Sequence, residues 1–168
     1  IIKLRKAFKN KNKKDLIKPI FNYVSSQIRY VAIELGMSAY KPYPAAEVFK
    51  NGYGDCKGKS TLLIAMLKSI GIQTYPVLLT TANAGFINKD IPTFNFNHMI
   101  VAVPDSEGYI FLDPTADMLS FDKVPYLDQG CDVFVVTKDK KEDFTYIPID
   151  LPESNKVIQE CQLNLERD

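Results

Sequence analysis

The sequence is poor in the residue types that most often carry chemistry. Its 168 residues include no tryptophan, one histidine (His98) and three cysteines (Cys56, Cys131 and Cys161). No two cysteines form a CxxC pair, which argues against a zinc ribbon or a thioredoxin-like redox motif. Three cysteines in a chain of this length also argue against a disulfide scaffold. Any reaction that needs an imidazole must therefore use His98.

The sequence also lacks an excess of charge of either sign and a long apolar run. The formal net charge is +1, so the composition gives no reason to expect a nucleic-acid partner. No apolar run approaches the roughly 20 residues that a membrane-spanning helix needs. The basic residues 1–14 are interpreted as a solvated lead-in or linker. The chain starts at Ile1, in what resembles a connecting segment, so we expect a fragment of a longer protein or a processed chain.

Apolar residues recur at three- and four-residue steps in the first half of the chain and alternate in the second half. This change of period predicts an α+β fold in which N-terminal helices pack on an antiparallel β-sheet. Asp15 is a candidate cap of the first helix, and Gly71 is a candidate stop of the helix that follows Cys56. The predicted helices cover 15–30, 45–50 and 56–70, and the predicted strands cover 74–79, 98–103, 109–112, 133–137, 145–149 and, as a candidate last strand, 156–165.

The stretch NGYGDCKGKSTLLIAML places Cys56 at the start of the third predicted helix. A thiolate is the reactive form of cysteine, and a helix N-terminus favours it through unpaired N–H groups and the helix dipole. Lys57 and Lys59 add positive charge nearby. Gly52 and Gly54 allow a sharp turn, so the backbone N–H of Cys56 is a candidate oxyanion donor. The pattern predicts that Cys56 is a nucleophile.

His98 opens one predicted strand, and Asp113 closes the next one. A thiolate nucleophile needs a proton carrier for the leaving group, and the imidazole needs a third group that fixes its tautomer. A turn at 104–108 makes the two strands a hairpin, which brings Asp113 close to His98. The joint arrangement predicts a catalytic set of Cys56, His98 and Asp113.

Each of these residues also has a purely structural interpretation. A cysteine at the head of an apolar helix is more often a small buried hydrophobe, and an aspartate in an LDPT sequence often caps its own backbone turn. A zinc site built from the same three residues is a further alternative, although zinc usually takes more Cys or His ligands than this chain offers. Cys131 and Cys161 have no second histidine to pair with and are expected to be plain thiols.

Three motifs carry a resemblance to a known family. The segments YGDCKGKSTLLIAMLKSIGIQTYPVLL, FNHMIVAV and YIFLDPTAD resemble, in order and spacing, the motifs of the transglutaminase-like superfamily. The segment IRYVAIELGMSAYKPYPAAEVF resembles the region that precedes the core in bacterial members. The resemblance spans about residues 15–137 and implies a papain-like fold with Cys56 as nucleophile, His98 as general acid–base and Asp113 as the orienting carboxylate. Many bacterial relatives have aspartate where this chain has Gly58.

The resemblance also implies a range of reactions. Family members cross-link glutamine to amines, deamidate, or hydrolyse peptides and amides, and some have lost activity. We expect hydrolysis of peptide or amide bonds through a Cys56 thioester. Amine transfer by a true transglutaminase and an inactive binding or spacer module are the alternatives. Tyr53, Tyr40 and Gln27 are candidates for a second oxyanion donor or for substrate binding.

The remaining expectations concern organisation and partners. The resemblance implies a catalytic core at 15–150, a C-terminal extension at 151–168 that begins a following β domain, and export to the periplasm or cell surface. We expect a peptide or protein substrate, no nucleic acid, no cofactor and no metal, and the sequence has no DxDxDG-type calcium loop. Loops 36–54 and 80–96 would set specificity, and their aromatic residues either line a groove or pack beneath the loops: Tyr40, Tyr43, Phe86, Phe94 and Phe96.

Overall fold

In the part of the chain that the structure describes, three helices lie on one face of a five-stranded antiparallel sheet. The structure is a computed structural model that describes residues 12–32, 36–87, 95–117, 119–137, 143–154 and 158–163. The helices are α1 (Lys13–Gln27), α2 (Ala45–Asn51) and α3 (Cys56–Ser69), with short 3-10 turns at Gly36–Ala39 and Pro152–Ser154. The strands are β1 (Arg29–Tyr30), β2 (Tyr53–Gly54), β3 (Tyr75–Leu79), β4 (His98–Asp105), β5 (Gly108–Leu112), β6 (Asp132–Val135) and β7 (Asp143–Tyr146). The predicted α+β class is confirmed.

The main sheet has the strand order β5-β4-β3-β6-β7, and all its neighbours are antiparallel. Because side chains alternate across a strand, each face of the sheet carries its own apolar cluster. On one face, Val101, Val103 and Leu112 pack under the three helices. On the other face, Val77, Ile100 and Val133 form a second cluster with Cys131 and Ile147 from the loops that flank β6 and β7.

The first helix differs from its prediction at both ends. Its cap is Asn12, whose side-chain oxygen accepts a hydrogen bond from the Lys14 N–H at 3.2 Å, so Asp15 lies inside the first turn and the predicted Asp15 cap is wrong. The helix ends at Gln27 because the next residues leave the helical region and pair with β2 as a short parallel ladder. The prediction extended the helix to residue 30 because apolar residues recur at helical spacing beyond Gln27.

The C-terminal prediction of a strand at 156–165 is wrong over the residues the structure describes there. Residues 158–163 have no strand, and Ile158 and Leu163 are exposed. Of the predicted lead-in at 1–14, residues 12–14 form the cap and the start of α1, and residues 1–11 lie outside the described residues, as do the ends of the predicted strand. The proposed boundaries at 15–150 and 151–168 stay predictions.

Candidate active site

Cys56 is the first residue of α3. The helix is capped by Asp55, whose Oδ1 accepts a hydrogen bond from the Gly58 N–H at 2.7 Å. Gly52 ends α2 with a φ of 71°, a conformation that favours glycine, and the chain then turns through β2 into the cap. The predicted delivery of Cys56 to a helix N-terminus is therefore present. The residue is nearly buried, with 3% of its surface exposed.

Gly58 has a packing reason in this chain. A Cβ at this position would come within 3.2 Å of Val48 Cγ2 and 3.3 Å of Asp55 Oδ1. Val48 also lies 3.1 Å from the corresponding Cβ position of Gly54. The side chain of Val48 thus occupies the space beside the first turn of α3 that an aspartate at position 58 would need.

The two lysines near Cys56 have partners of their own. Lys57 Nζ lies 2.5 Å from Asp55 Oδ2. Lys59 is buried, and its Nζ donates hydrogen bonds to the carbonyl oxygens of Ser25 at 3.0 Å and Ile28 at 2.6 Å. These carbonyls end α1, where a cation is favoured by the helix dipole. The principal role of Lys59 in the fold is therefore to join α1 to the helix that carries Cys56.

Burial also affects the charge of Lys59. Desolvation lowers the pKa of Lys59, and the negative charges of Asp113 and Asp117 oppose that effect.

His98 begins β4, and Asp113 follows β5 directly. His98 Nε2 lies 3.1 Å from Asp113 Oδ2, as the hairpin prediction required. The hairpin register ends with Leu112 opposite Val101, so the next residue, Asp113, stands diagonally across from His98. Ser60 of α3 donates a hydrogen bond to the Met99 carbonyl at 2.9 Å, which fixes the start of β4 against the Cys56 helix.

Hydrogen bonds join the two ends of the 80–96 loop, which precedes His98. The Asn97 N–H donates to the Leu79 carbonyl at 3.1 Å, and Thr81 N–H donates to Asn97 Oδ1 at 3.0 Å. Thr80 Oγ1 donates to the Asn95 carbonyl at 2.7 Å. These bonds hold both ends of the 80–96 loop beside the imidazole.

The electrostatics favour a charged imidazole. Burial lowers the pKa of His98, but hydrogen bonds to Asp113 and Cys56 and the charges of Asp113 and Asp128 outweigh it and raise the pKa to about 10. Because Nε2 faces Asp113, Nδ1 is the nitrogen available to the Cys56 thiol. The arrangement suits an imidazolium beside a thiolate.

Asp113 is ionised by the donors around it. Burial raises the pKa of Asp113, but its hydrogen bond to His98, the charge of His98 and the hydrogen bonds from Thr115 together lower it. Thr115 donates from its N–H to Oδ1 at 2.8 Å, and its hydroxyl lies 2.8 Å from Oδ1 and 2.9 Å from Oδ2. The LDPT turn therefore caps its own backbone and holds the imidazole at the same time.

Asp128 is a further ionisable residue beside His98 and Asp113, which the sequence analysis missed. It is 2% exposed, and one of its carboxylate oxygens lies in a group with atoms of His98 and Asp113 in which all separations are within 4.8 Å. Asp128 lies in a loop distant in sequence from His98, and the loop has no helical or strand periodicity. No local sequence signal could therefore have linked it to the site. Among the described residues, this is the one group of three Cys, His, Asp or Glu side chains with metal-ligand spacing. His98 and Asp113 are already joined by a hydrogen bond, and Cys56 is not in the group.

The three candidates for a second oxyanion donor or for substrate binding differ in their surroundings and exposure to solvent. Tyr53 is half-exposed and lines a cavity of about 90 Å³ together with Gly54 and Asp55, directly before Cys56. Tyr40 is 85% exposed. Gln27 is exposed at the end of α1, where its amide donates to Ser26 Oγ at 3.3 Å. An oxyanion or substrate role for these three residues stays a prediction.

The loop aromatic residues divide between packing and exposure. The Phe96 ring stacks with Phe134, with 6.5 Å between their centroids, whereas Phe86 is 87% exposed. Tyr43 lines the cavity beside Tyr53. Phe94 lies outside the described residues.

The fold is that of the papain-like class. The model of the transglutaminase-like superfamily matches residues 3–114, and the chain belongs to this superfamily. A comparison with curated protein sequences found no match.

Solved structures show the same fold. A candidate protease from Parabacteroides distasonis ATCC 8503 matches with a TM-score of 0.63 and 13% identity, over 88% of this chain and 27% of that chain. LapG of Legionella pneumophila matches with a TM-score of 0.51 and 18% identity, over 70% of this chain and 62% of that chain. Its calcium-bound form matches with a TM-score of 0.53 and 16% identity, over 91% of this chain and 82% of that chain. This chain thus spans about a quarter of the first structure.

None of the helices within the described ranges is long and apolar enough to cross a bilayer.

Proposed function

We propose that the protein is an enzyme that transfers acyl groups through a thioester on Cys56 and hydrolyses peptide or amide bonds. The observation that carries the proposal is the arrangement of the three groups. Cys56 starts a helix, its thiol contributes to the raised pKa of His98, and His98 Nε2 lies 3.1 Å from the ionised Asp113. Membership of the transglutaminase-like superfamily supports the same chemistry.

In the acylation step, the Cys56 thiolate attacks the substrate carbonyl carbon. A C–S bond forms, and the carbonyl π electrons move onto oxygen, where the backbone N–H of Cys56 stabilises the charge. The tetrahedral intermediate collapses as the C–N bond breaks, and the His98 imidazolium gives its proton to the departing amine. Asp113 keeps the imidazole oriented throughout.

In the second step, neutral His98 takes a proton from water as the water oxygen attacks the thioester. The C–S bond breaks, Cys56 leaves as a thiolate and the acid product departs. A primary amine in place of water would give an amide, which is the transglutaminase reaction. The superfamily match supports amine transfer as the second candidate, and incorporation of a labelled amine into a glutamine-containing acceptor would distinguish it.

One observation favours an inactive binding or spacer module instead. Cys56 is only 3% exposed, as a structural thiol would be. The test must therefore report the ionisation of Cys56 and not only its accessibility.

We further propose that the substrate is a peptide or protein, that the chain works in an exported protein, and that β domains flank it. The proposal of a larger protein is supported by the 27% share of the Parabacteroides chain that this chain spans. Export and flanking domains rest on the family resemblance.

Iodoacetamide labelling, read by mass spectrometry at each cysteine, tests the proposal within one molecule. Cys161 is exposed and serves as the reference thiol. The labelling rate of this exposed thiol should rise steeply with pH, because only the thiolate reacts. The Cys56 rate should rise less steeply with pH than the Cys161 rate, because the proposed mechanism pairs the Cys56 sulfur with the His98 imidazolium.

The His98→Gln variant should give Cys56 the pH dependence of Cys161. Comparing slopes instead of absolute rates removes the effect of burial. If the Cys56 and Cys161 slopes agree in the unmodified protein and His98→Gln changes neither, Cys56 is a structural thiol and the enzyme proposal is wrong.

A further inference from the structure

Asp128 is a buried acidic residue in a loop whose backbone is held by hydrogen bonds. Its N–H donates to the Pro125 carbonyl at 2.9 Å, and its carbonyl accepts from the Cys131 N–H at 3.3 Å. The preceding residue, Leu127, accepts a hydrogen bond from the Ala82 N–H at 2.8 Å, which joins this turn to the 80–96 loop. An aspartate is seldom buried unless it has a partner.

The nearest polar groups are those of the proposed active site. Carboxylate and imidazole atoms of Asp128, Asp113 and His98 all lie within 4.8 Å of one another. Two carboxylates this close do not both ionise readily, because like charges in a buried site repel. Asp113 already accepts hydrogen bonds from both donors of Thr115 and faces His98 Nε2, so it is the ionised member.

Asp128 has the opposite environment. Its Oδ2 is buried and accepts no hydrogen bond from the described residues. A carboxylic acid carries its own donor, whereas a carboxylate here would be left with an unsatisfied charge. The neutral acid is therefore the form that this position favours.

We propose that Asp128 is a positioning residue of the Cys56–His98–Asp113 site. As a neutral acid it donates a hydrogen bond to the Asp113 carboxylate. Once ionised, it stabilises the positive charge of the His98 imidazolium. The proposal rests on the proposed function, since it assigns Asp128 to the same acid–base machinery. Below neutral pH, the hydrogen bond from neutral Asp128 disperses the negative charge of Asp113. The His98 imidazolium is then a stronger acid than it is beside an ionised Asp128. Above neutral pH, the second negative charge makes His98 a weaker acid.

The electrostatics of the site agree with this assignment. Burial, the charge of Asp113 and a hydrogen bond to Asp113 raise the pKa of Asp128 to about 7, against the opposing attraction of His98. Burial together with the charge of Asp128 raises the pKa of the Cys131 thiol, three residues later in the chain. From α3, Lys59 acts on Asp113.

The single histidine makes the test direct. The imidazole C–H signal of His98 can be followed by NMR across pH in the unmodified chain and in Asp128→Asn, whose amide keeps a donor for Asp113 but cannot ionise. The unmodified protein should show a small chemical-shift step near pH 7 before the main titration. In Asp128→Asn the step should vanish and the main midpoint should fall by about one pH unit or more, because a charge within ~4–6 Å shifts a pKa by 1–3 units.

Asp122→Asn is the matched control, since Asp122 is exposed and the change removes the same charge from the surface. It should leave both the step and the midpoint unchanged. An unmodified protein without the step, or an Asp128→Asn midpoint equal to that of Asp122→Asn, overturns the assignment. The unmodified protein decides alone if the variant does not fold. Failure of the proposed function is seen separately, as a Cys56 labelling slope equal to that of Cys161.

Discussion

Replacing Asp128 with asparagine should stabilise the fold at alkaline pH more than at acidic pH. Burial and the neighbouring Asp113 raise the pKa of Asp128 to about 7, from an ordinary value of 3.8. The folded protein therefore binds a proton that the unfolded chain has lost between these two values. The contribution of Asp128 is most favourable below the unfolded pKa and is lost as the pH rises through the folded one. Asparagine has no such loss.

The size of the effect follows from the rise of about three pKa units. At about 1.4 kcal/mol per unit, the full linkage is about 4 kcal/mol. The attraction of His98 for the ionised form is part of the same coupled equilibrium, so we expect about 2–4 kcal/mol. Asp128→Asn should gain this amount of unfolding free energy, relative to the unmodified protein, between about pH 4 and pH 8.

Urea unfolding followed by circular dichroism at several pH values measures this difference. Asp122→Asn again serves as the control, with an effect of the opposite sign. A hydrogen bond from Ser120 lowers the pKa of Asp122, so that carboxylate favours folding above its unfolded pKa. A difference between Asp128→Asn and the unmodified protein that is constant within about 0.5 kcal/mol across this range would refute the reasoning.

Three further predictions concern the neighbours of the site. Lys59→Met should lower the unfolding free energy by about 2–3 kcal/mol in urea titrations, because two carbonyls at the end of α1 lose their donor; a loss below about 0.5 kcal/mol would contradict this account. In a Val48→Ala background, where the Cβ no longer meets Val48, Gly58→Ala should raise the unfolding free energy by up to about 1 kcal/mol. With Val48 in place the gain should be smaller. Thermal unfolding of the unmodified protein, both single variants and the double variant measures the difference. Asp113→Asn should bring the NMR-measured pKa of His98 down from about 10 and reduce turnover by about 10²–10⁴-fold, and an unchanged His98 midpoint would contradict the assigned pair.

The parts of the site that depend on local order along the chain were predictable from sequence. The Cys56 helix start follows from an apolar period after a glycine-rich turn, and the His98–Asp113 contact follows from the register of one hairpin. Both signals lie within short segments, where periodicity and turn chemistry are informative.

The parts that depend on contacts between distant segments were not predictable. Lys59 was expected to act on the thiolate, but its Nζ binds carbonyls of α1 more than 30 residues earlier in the chain. Asp128 lies in a turn whose sequence resembles any polar loop, and only the folded sheet brings it to His98. The Asp15 cap failed for a local reason, since Asn12 offers an equally good acceptor three residues earlier.

The central claim is that Cys56 carries an acyl group during the reaction. Intact-protein mass spectrometry after brief mixing with an activated ester should show a single acyl adduct, mapped by digestion to Cys56. The adduct should be absent in Cys56→Ala, slow to form in His98→Gln, and unchanged in Cys161→Ala. An adduct that maps to Cys131 or Cys161, or one that forms equally fast without His98, would contradict the account.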